Sequence, residues 1–394
     1  MRLRGLLHKL FAHSANFIDK RIHAVLLCSA ETLPMSQHLS LTSIGRSLSS
    51  QTTVKHNIKR MDRLFGNPSL HAKTIFYYEA IAKHILQGNQ RPKIIIDWSG
   101  LTRCGAYHML SANIPVGGRA LPILMKAYPE CEYAKNKTHK DFLNTLSVLL
   151  PENCHPIIIT DAGFRNPWFK LVMKLGWDFV GRVRHMTQYK TLNKGHWKPI
   201  KSLYTLASGS PTYLFCSLLA RKNPIKCHFY LYKEKYKNRV KKNLRGKKVR
   251  CSASKKHAKS AREPWLIVTS LSAEAFNAKQ IISMYQRRMQ IEEYFRDLKN
   301  TKNGFGLRHC RSLNQNRLNV ALLIGSIAAL LLWVIGLISK HKKVHFSFQS
   351  NSIKDRGVLS IFSIGWQTLK QGLMLPSIND FEFAMQEIRL WASI

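Results

Sequence analysis

The spacing of apolar and polar residues changes along the chain, and the change divides it. Up to about residue 70, apolar positions recur three and four apart. In the stretch from Val54 to Phe65 they fall at Val54, Ile58, Met61 and Phe65, leaving Lys55, Lys59, Arg60 and Arg63 on the other side. Leu41 to Leu48 is a shorter apolar-periodic segment, and Ser49-Ser-Gln-Thr-Thr53 between the two is turn and N-cap material. The pattern predicts a helix-turn-helix-like pair whose second helix offers basic side chains to DNA.

From Lys93 the pattern becomes that of strands. Lys93-Ile-Ile-Ile-Asp97-Trp98 reads as a buried strand ending in a carboxylate. Tyr107 to Val116 and Arg119 to Tyr128 flank Gly117-Gly118, a hairpin signal. Lys140 to Leu150 is an amphipathic helix stopped by Pro151, and His155-Pro-Ile-Ile-Ile-Thr-Asp161 is a second buried strand ending in a carboxylate. A helix from Pro167 to Leu175 and a strand from Trp177 to Arg184 follow. The order β-β-β-α-β-α-β resembles a ribonuclease-H-like sheet.

Thr212 to Leu219 and Lys226 to Tyr232 read as strands of an insertion. Lys233 to Arg262 then holds fourteen Lys and Arg against one acid, Glu234. Such a run cannot bury a core and predicts a flexible loop that clamps a DNA backbone. Trp265 resumes the sheet. Ala273 to Lys299 has no Pro or Gly and predicts one long helix. Val320 to Ile338 carries no charge between Arg317 and Lys340. Its length suits a membrane span, but a buried core helix gives the same pattern and is preferred.

The expected fold class is therefore α/β, in the α+β sense. It is a ribonuclease-H-like mixed-sheet catalytic core with an inserted β-rich subdomain and a helical N-terminal DNA-binding domain. The expected divisions are 1–70 for DNA binding, 71–186 and 264–340 for the core, 187–263 for the basic insertion, and 341–394 for a C-terminal helical region suited to dimerisation.

Charge narrows the partner. The 394 residues carry 62 Lys and Arg against 21 Asp and Glu, a formal +41 spread along the whole chain. Nucleic acid is the leading partner for such an imbalance, ahead of an anionic membrane surface. The eight cysteines include no CxxC pair, which argues against a zinc ribbon or a disulfide scaffold and suits a reduced cytosolic protein. The basic N-terminus lacks the apolar run of a signal peptide.

Acids are scarce, so their positions matter. Asp97 and Asp161 each follow a run of isoleucines, where a carboxylate is costly unless it opens into a site. On a continuous helix, Tyr285, Arg288, Glu292 and Lys299 would share one face, within an arc of roughly 60° at about 100° per residue. A solvated, salt-bridged surface is the competing reading of that face. Two strand-end aspartates together with a helix glutamate favour a site. Converging carboxylates need divalent cations to offset their repulsion, and Mg²⁺ prefers such oxygen ligands. Glu293 is rotated about 100° from Glu292 and is assigned to surface or supporting duty.

Asp97, Asp161-x-Gly163-Phe164 and Tyr285-x2-Arg288-x3-Glu292-x6-Lys299 resemble the motifs of DDE cut-and-paste transposases of bacterial insertion sequences. The branch is insertion-sequence family four, of the Tn-ten type, marked by the YREK spacing. The resemblance implies catalytic and metal-binding roles for Asp97, Asp161 and Glu292, with two Mg²⁺ ions that Mn²⁺ can replace. It implies phosphate contacts from Tyr285, Arg288 and Lys299. Trp265 would stack on an extruded base, Met289 would fill the vacated space, and Trp98 would contact the distorted end. Expected partners are double-stranded DNA, as transposon terminal repeats and target, and a second copy in a synaptic homodimer. No membrane role is expected, and the setting is bacterial cytoplasm. A metal-dependent nuclease without strand transfer, or a DNA-binding protein without catalysis, are the alternatives.

Overall fold

The computed structural model describes residues 3–192, 195–235, 251–252, 263–303, 305–350, 352–353, 355–373 and 376–394. Two compact units emerge. One joins Met1–Pro156 to Met289–Ile394, and the other is Ile157–Arg288.

The first unit opens with helices α1 (Leu3–Leu10), α2 (Lys20–Thr32), α3 (Leu41–Ser47), α4 (Val54–Phe65) and α5 (Pro68–Leu86). Their starts are chemically fixed. Asp19 accepts the N–H groups of Arg21 and Ile22, Ser40 accepts that of Ser43, and Asn67 accepts that of Leu70. Helices α3 and α4 pack closely because Gly45 has no side chain, and a Cβ there would lie 2.8 Å from Ile58 Cα. The buried face of α4 differs from the expected stripe. It is Asn57, Met61, Leu64 and Phe65, while Val54 is 52% exposed. Asn57 explains the rotation, because its side-chain oxygen takes the hydroxyls of Ser50 and Thr52 and its amide reaches Leu48 O. A polar anchor for the turn thus occupies a place that apolar spacing alone assigns to solvent.

Strands β1 (Lys93–Gly100), β2 (Tyr107–Val116) and β3 (Arg119–Pro129) form an antiparallel array in the order β3-β2-β1. The β2–β3 turn uses Gly117 and Gly118, both at positive φ, 45° and 81°. Strand β1 does not end at Asp97. It continues through Gly100, with Asp97 opposite Ser111 and Ser99 opposite Met109. The apolar run stops at Ile96, but backbone pairing with β2 carries the strand on.

Helix α6 (Asn136–Leu149) follows β3. After the second unit, the chain returns as α9 (Met289–Lys299), which packs on β1, β2 and β3. Helix α10 (Gln315–His341) is buried against β3, α2, α5, and the C-terminal helices α11 (Ile361–Gln371) and α12 (Ile378–Ser393). Among the described residues it is the one helix long and apolar enough to cross a membrane, and that apolar window is entirely buried.

The second unit contains β4 (Ile157–Thr160), α7 (Asn166–Lys174), β5 (Asp178–Val183), β6 (Gln188–Thr191), β7 (Lys198–Pro199), β8 (Thr212–Leu219), β9 (Ile225–Tyr232), β10 (Trp265–Thr269) and α8 (Ala278–Gln286). The strands run in the order β4-β5-β10-β9-β8-β6-β7. The β4–β5 pair is parallel and the remaining pairs are antiparallel. The basic run Lys233–Arg262 lies mostly outside the described residues.

The single long helix expected from Ala273 to Lys299 is two helices. Helix α8 begins at an Asn277–Gln280 capping box and ends before Arg287-Arg288. Short i→i−3 bonds, Arg287 N–H to Met284 O at 3.2 Å and Arg288 N–H to Tyr285 O at 3.0 Å, tighten the turn there. Two arginines are good helix formers, so propensity gives no sign of the break.

Candidate active site

In the first unit, strand alternation puts Asp97 and Ser99 on one face of β1 and Trp98 on the other. An Asp97 side-chain oxygen accepts the Trp98 N–H at 2.8 Å. Lys299, in the last turn of α9, donates its ammonium to the Ser99 hydroxyl. Burial is the largest influence on Lys299 and lowers its pKa to about 8; Arg308 pushes the same way, and Asp97 opposes both. Lys299 is thus held beside Asp97, and Ser99, two residues beyond Asp97, is its anchor. Sequence reading passed over Ser99, although the strand period places it beside Asp97.

Glu292 is exposed near the start of α9. Its neighbour Glu293 is committed to structure. Glu293 accepts Arg119 Nη1 at 3.2 Å and Arg296 Nη1 at 2.6 Å, while Arg119 Nε also binds Asp297 at 2.8 Å. Met289, the first residue of α9, is 40% exposed. Trp98 is half-buried, donates to His139 Nε2 at 3.2 Å and meets Tyr128 and Tyr133 edge-on. On α4, Lys55, Lys59 and Arg63 are exposed and Arg60 is half-exposed. Lys59 also lies 3.7 Å from Asp62.

In the second unit, Asp161 follows directly on β4. Its Oδ1 accepts the Gly163 N–H at 2.8 Å, and a Cβ at Gly163 would come within 3.0 Å of that oxygen. Tyr285 on α8 is buried. Burial raises its pKa, Arg288 and Arg182 pull it down, and Asp161 pushes it up. Those influences gather Asp161, Tyr285, Arg288 and Arg182 into one electrostatic neighbourhood.

Trp265 meets Tyr285 edge-on at 5.2 Å and Tyr232 at 5.7 Å, and the Arg182 guanidinium lies 6.0 Å from its ring. Arg182 also donates to the carbonyls of Glu263 and Pro264 at 3.2 Å. The chain entering Trp265 is therefore fixed by a residue of β5 that no linear motif marked. A cavity of about 550 Å³ adjoins this region, with Arg165, Arg182, Arg184, Arg221 and Lys222 in its wall.

The expected face of four side chains is thus divided. Tyr285 belongs to α8, Arg288 to the turn, and Glu292 and Lys299 to α9. The donor chemistry of Asp97, Asp161 and Glu292 suits a hard divalent cation, since all three offer carboxylate oxygen. Each aspartate has one oxygen oriented by a backbone N–H, a support common among ligating carboxylates. Among the described residues, no three His, Cys, Asp or Glu side chains form a ready metal cluster.

No curated protein matches the chain. A family model described as the transposase DDE domain matches residues 88–331, which include Asp97, Asp161 and Glu292. The match spans more than half of the chain, and with its mixed helices and strands the chain belongs to the DDE transposases, enzymes that act on DNA.

Proposed function

We propose that this transposase moves DNA by a cut-and-paste route, as an insertion-sequence family four enzyme of the YREK type. Asp97, Asp161 and Glu292 would hold two Mg²⁺ ions, with Mn²⁺ as a substitute. When bound, such ions polarise the phosphoryl oxygens and activate the attacking water or 3′-hydroxyl for in-line displacement. The chain's own residues bind and orient the DNA. Tyr285, Arg288 and Lys299 grip phosphates around the scissile bond, since charge-assisted bonds from cations to phosphate are strong and directional.

Cleavage, hairpin formation, hairpin opening and strand transfer follow at one site. Trp265 receives a base extruded at the hairpin, Met289 fills the space it leaves, and Trp98 contacts the distorted end. Helices α3 and α4 dock the terminal repeat through Lys55, Lys59, Arg60 and Arg63. Two copies act together in the synaptic complex, in the bacterial cytoplasm.

The observation that carries this reading is the pairing of Lys299 with Ser99 beside Asp97. That pairing supports a role for Lys299 beside Asp97, since a solvated surface lysine would have no such anchor. The experiment incubates the protein and Mg²⁺ with linear DNA bearing the flanking terminal repeats. Nicks, hairpins and joined products are expected from those ends and not from unrelated ends. Asp97→Asn, Asp161→Asn and Glu292→Gln should each abolish cleavage while leaving end binding. Mg²⁺-dependent cleavage surviving in all three would falsify the site, and nicking without joining would reduce the protein to a nuclease.

A further inference from the structure

A second basic cavity, of about 610 Å³, lies in the first unit and is unused by the chemistry above. Its wall joins α3 to the segment that follows α9, through His38, Arg46, His309, Arg311 and Arg317. Among the described residues lining it there is no carboxylate. Arg46 and Arg311 are exposed at its rim, and Arg317 is held by Asp62 at 2.7 Å.

Two imidazoles meet in this wall. The rings of His38 and His309 stack with centroids 4.0 Å apart and planes 3° from parallel. The stack is built into the backbone. Leu39 N–H donates to Phe305 O at 2.7 Å, and His309 N–H donates to Gly306 O at 2.8 Å. Gly306 sits at φ 37°, and a Cβ there would press to 3.0 Å from His38 Nδ1. A glycine is therefore required both by the backbone angle and by the ring it faces.

The surroundings of the pair are cationic. Arg103 Nη2 lies 2.8 Å from His309 Nε2. A guanidinium only donates, so this contact needs His309 neutral, with Nε2 as acceptor. Burial, then His38, Arg103 and Arg311, lower the His309 pKa. On the far side of His38, a smaller cavity brings Lys302 and Lys370. Cys310, next in sequence, is buried, and burial raises its pKa. The stack thus stands among Arg46, Arg103, Arg311, Lys302 and Lys370, with Asp62 committed to Arg317.

We propose that this cavity receives a phosphodiester of bound DNA, and that its occupation is coupled to protonation of His309, whose ring stacks on that of His38. An anion entering the cavity offsets the cations that keep His309 neutral. Protonation of His309 removes the acceptor for Arg103 and releases that guanidinium toward the phosphate. Binding then takes up a proton, so affinity rises as pH falls toward the imidazole range. The inference rests on the DNA-acting reading above and adds a docking point between the N-terminal helices and the chain after α9.

The test uses the full chain and a short duplex of arbitrary sequence, because backbone contacts carry no sequence. Binding is measured against salt, and by calorimetry in buffers of different ionisation enthalpy between about pH 6 and about pH 8. Arg46→Gln and Arg311→Gln should each flatten the salt dependence by about one unit of slope. His309→Gln, which keeps an acceptor for Arg103 but cannot titrate, should take up about one proton fewer than the parent protein. Unchanged salt slopes in both arginine variants, or unchanged proton uptake in His309→Gln, would overturn the cavity while leaving the DNA-acting reading intact. A parent protein that does not bind the duplex would sink both. Thermal midpoints of the variants, expected to match the parent, separate lost contacts from lost fold.

Discussion

Lys299 and Ser99 are bonded across α9 and β1, two residues along the strand from Asp97. The bond fixes the ammonium on the carboxylate's side of the strand. A phosphate contact from such a group is worth about 1.5–3 kcal/mol. Lys299→Gln should therefore slow end cleavage by roughly 10- to 100-fold while weakening end binding less. Ser99→Ala, which removes the anchor and keeps the charge, should cost only a few-fold. Single-turnover cleavage on terminal-repeat DNA measures both. Equal losses in binding and cleavage for Lys299→Gln would remove Lys299 from the reacting phosphate.

Glu293, next to Glu292 in α9, is tied to two arginines. Arg119 and Arg296 converge on Glu293, and Arg119 is shared with Asp297, whose pKa burial raises. Glu293→Gln should lower stability by about 1 kcal/mol, as a partly exposed ion pair does, and leave cleavage near the parent rate. Glu292→Gln should abolish cleavage at a stability where Glu293→Gln still cleaves. Urea midpoints alongside a nicking assay distinguish the two, and the reverse result would exchange their roles.

The sequence made particular parts of this molecule readable for particular reasons. Strands β2, β3 and β8 begin and end at or near their expected residues, and Gly117-Gly118 states the limit between the first two directly. Asp161 was readable because its strand stops at Thr160. Asp97 was found, yet placed at a strand end it does not occupy, since hydrogen bonding to β2 outlasts the apolar run. The turn at Arg287-Arg288 was hidden because helix propensity is good on both sides of it. Ser99, Arg182 and the His38–His309 stack were illegible for a different reason. Each gains its meaning from a partner that lies far along the chain.

Acid should destabilise the fold through two buried imidazoles. Burial lowers His23 and His139 to about 4 each, with His8 adding to the effect on His23. The indole of Trp98 only donates, so its bond to His139 Nε2 requires that nitrogen unprotonated. The unfolded chain binds these protons near the ordinary value of about 6.5, and the folded chain only near 4. Unfolding therefore takes up protons in that window, and stability present above it is lost as pH falls through it. Urea midpoints followed downward should drop across the window, and the drop should shrink in His23→Gln with His139→Gln. An equal drop in the double variant would assign acid sensitivity to other groups.

Helices α10 and α11 cross backbone to backbone, and two glycines make this possible. A Cβ at Gly336 would lie 2.0 Å from Ile361 O, and one at Gly365 would lie 2.0 Å from Leu332 O. No side-chain movement relieves a clash with a carbonyl, so the helices would have to part. Because α10 is buried along its apolar length, parting them exposes core on both. Gly336→Ala and Gly365→Ala should each cost about 3 kcal/mol or more. Gly209→Ala, where nothing lies within 4 Å, should stay within about 0.5 kcal/mol. If the helix spanned a membrane instead, Gly336→Ala would alter detergent dependence rather than the urea midpoint. A lowered midpoint in detergent-free buffer identifies the crossing as the packed centre of the first unit.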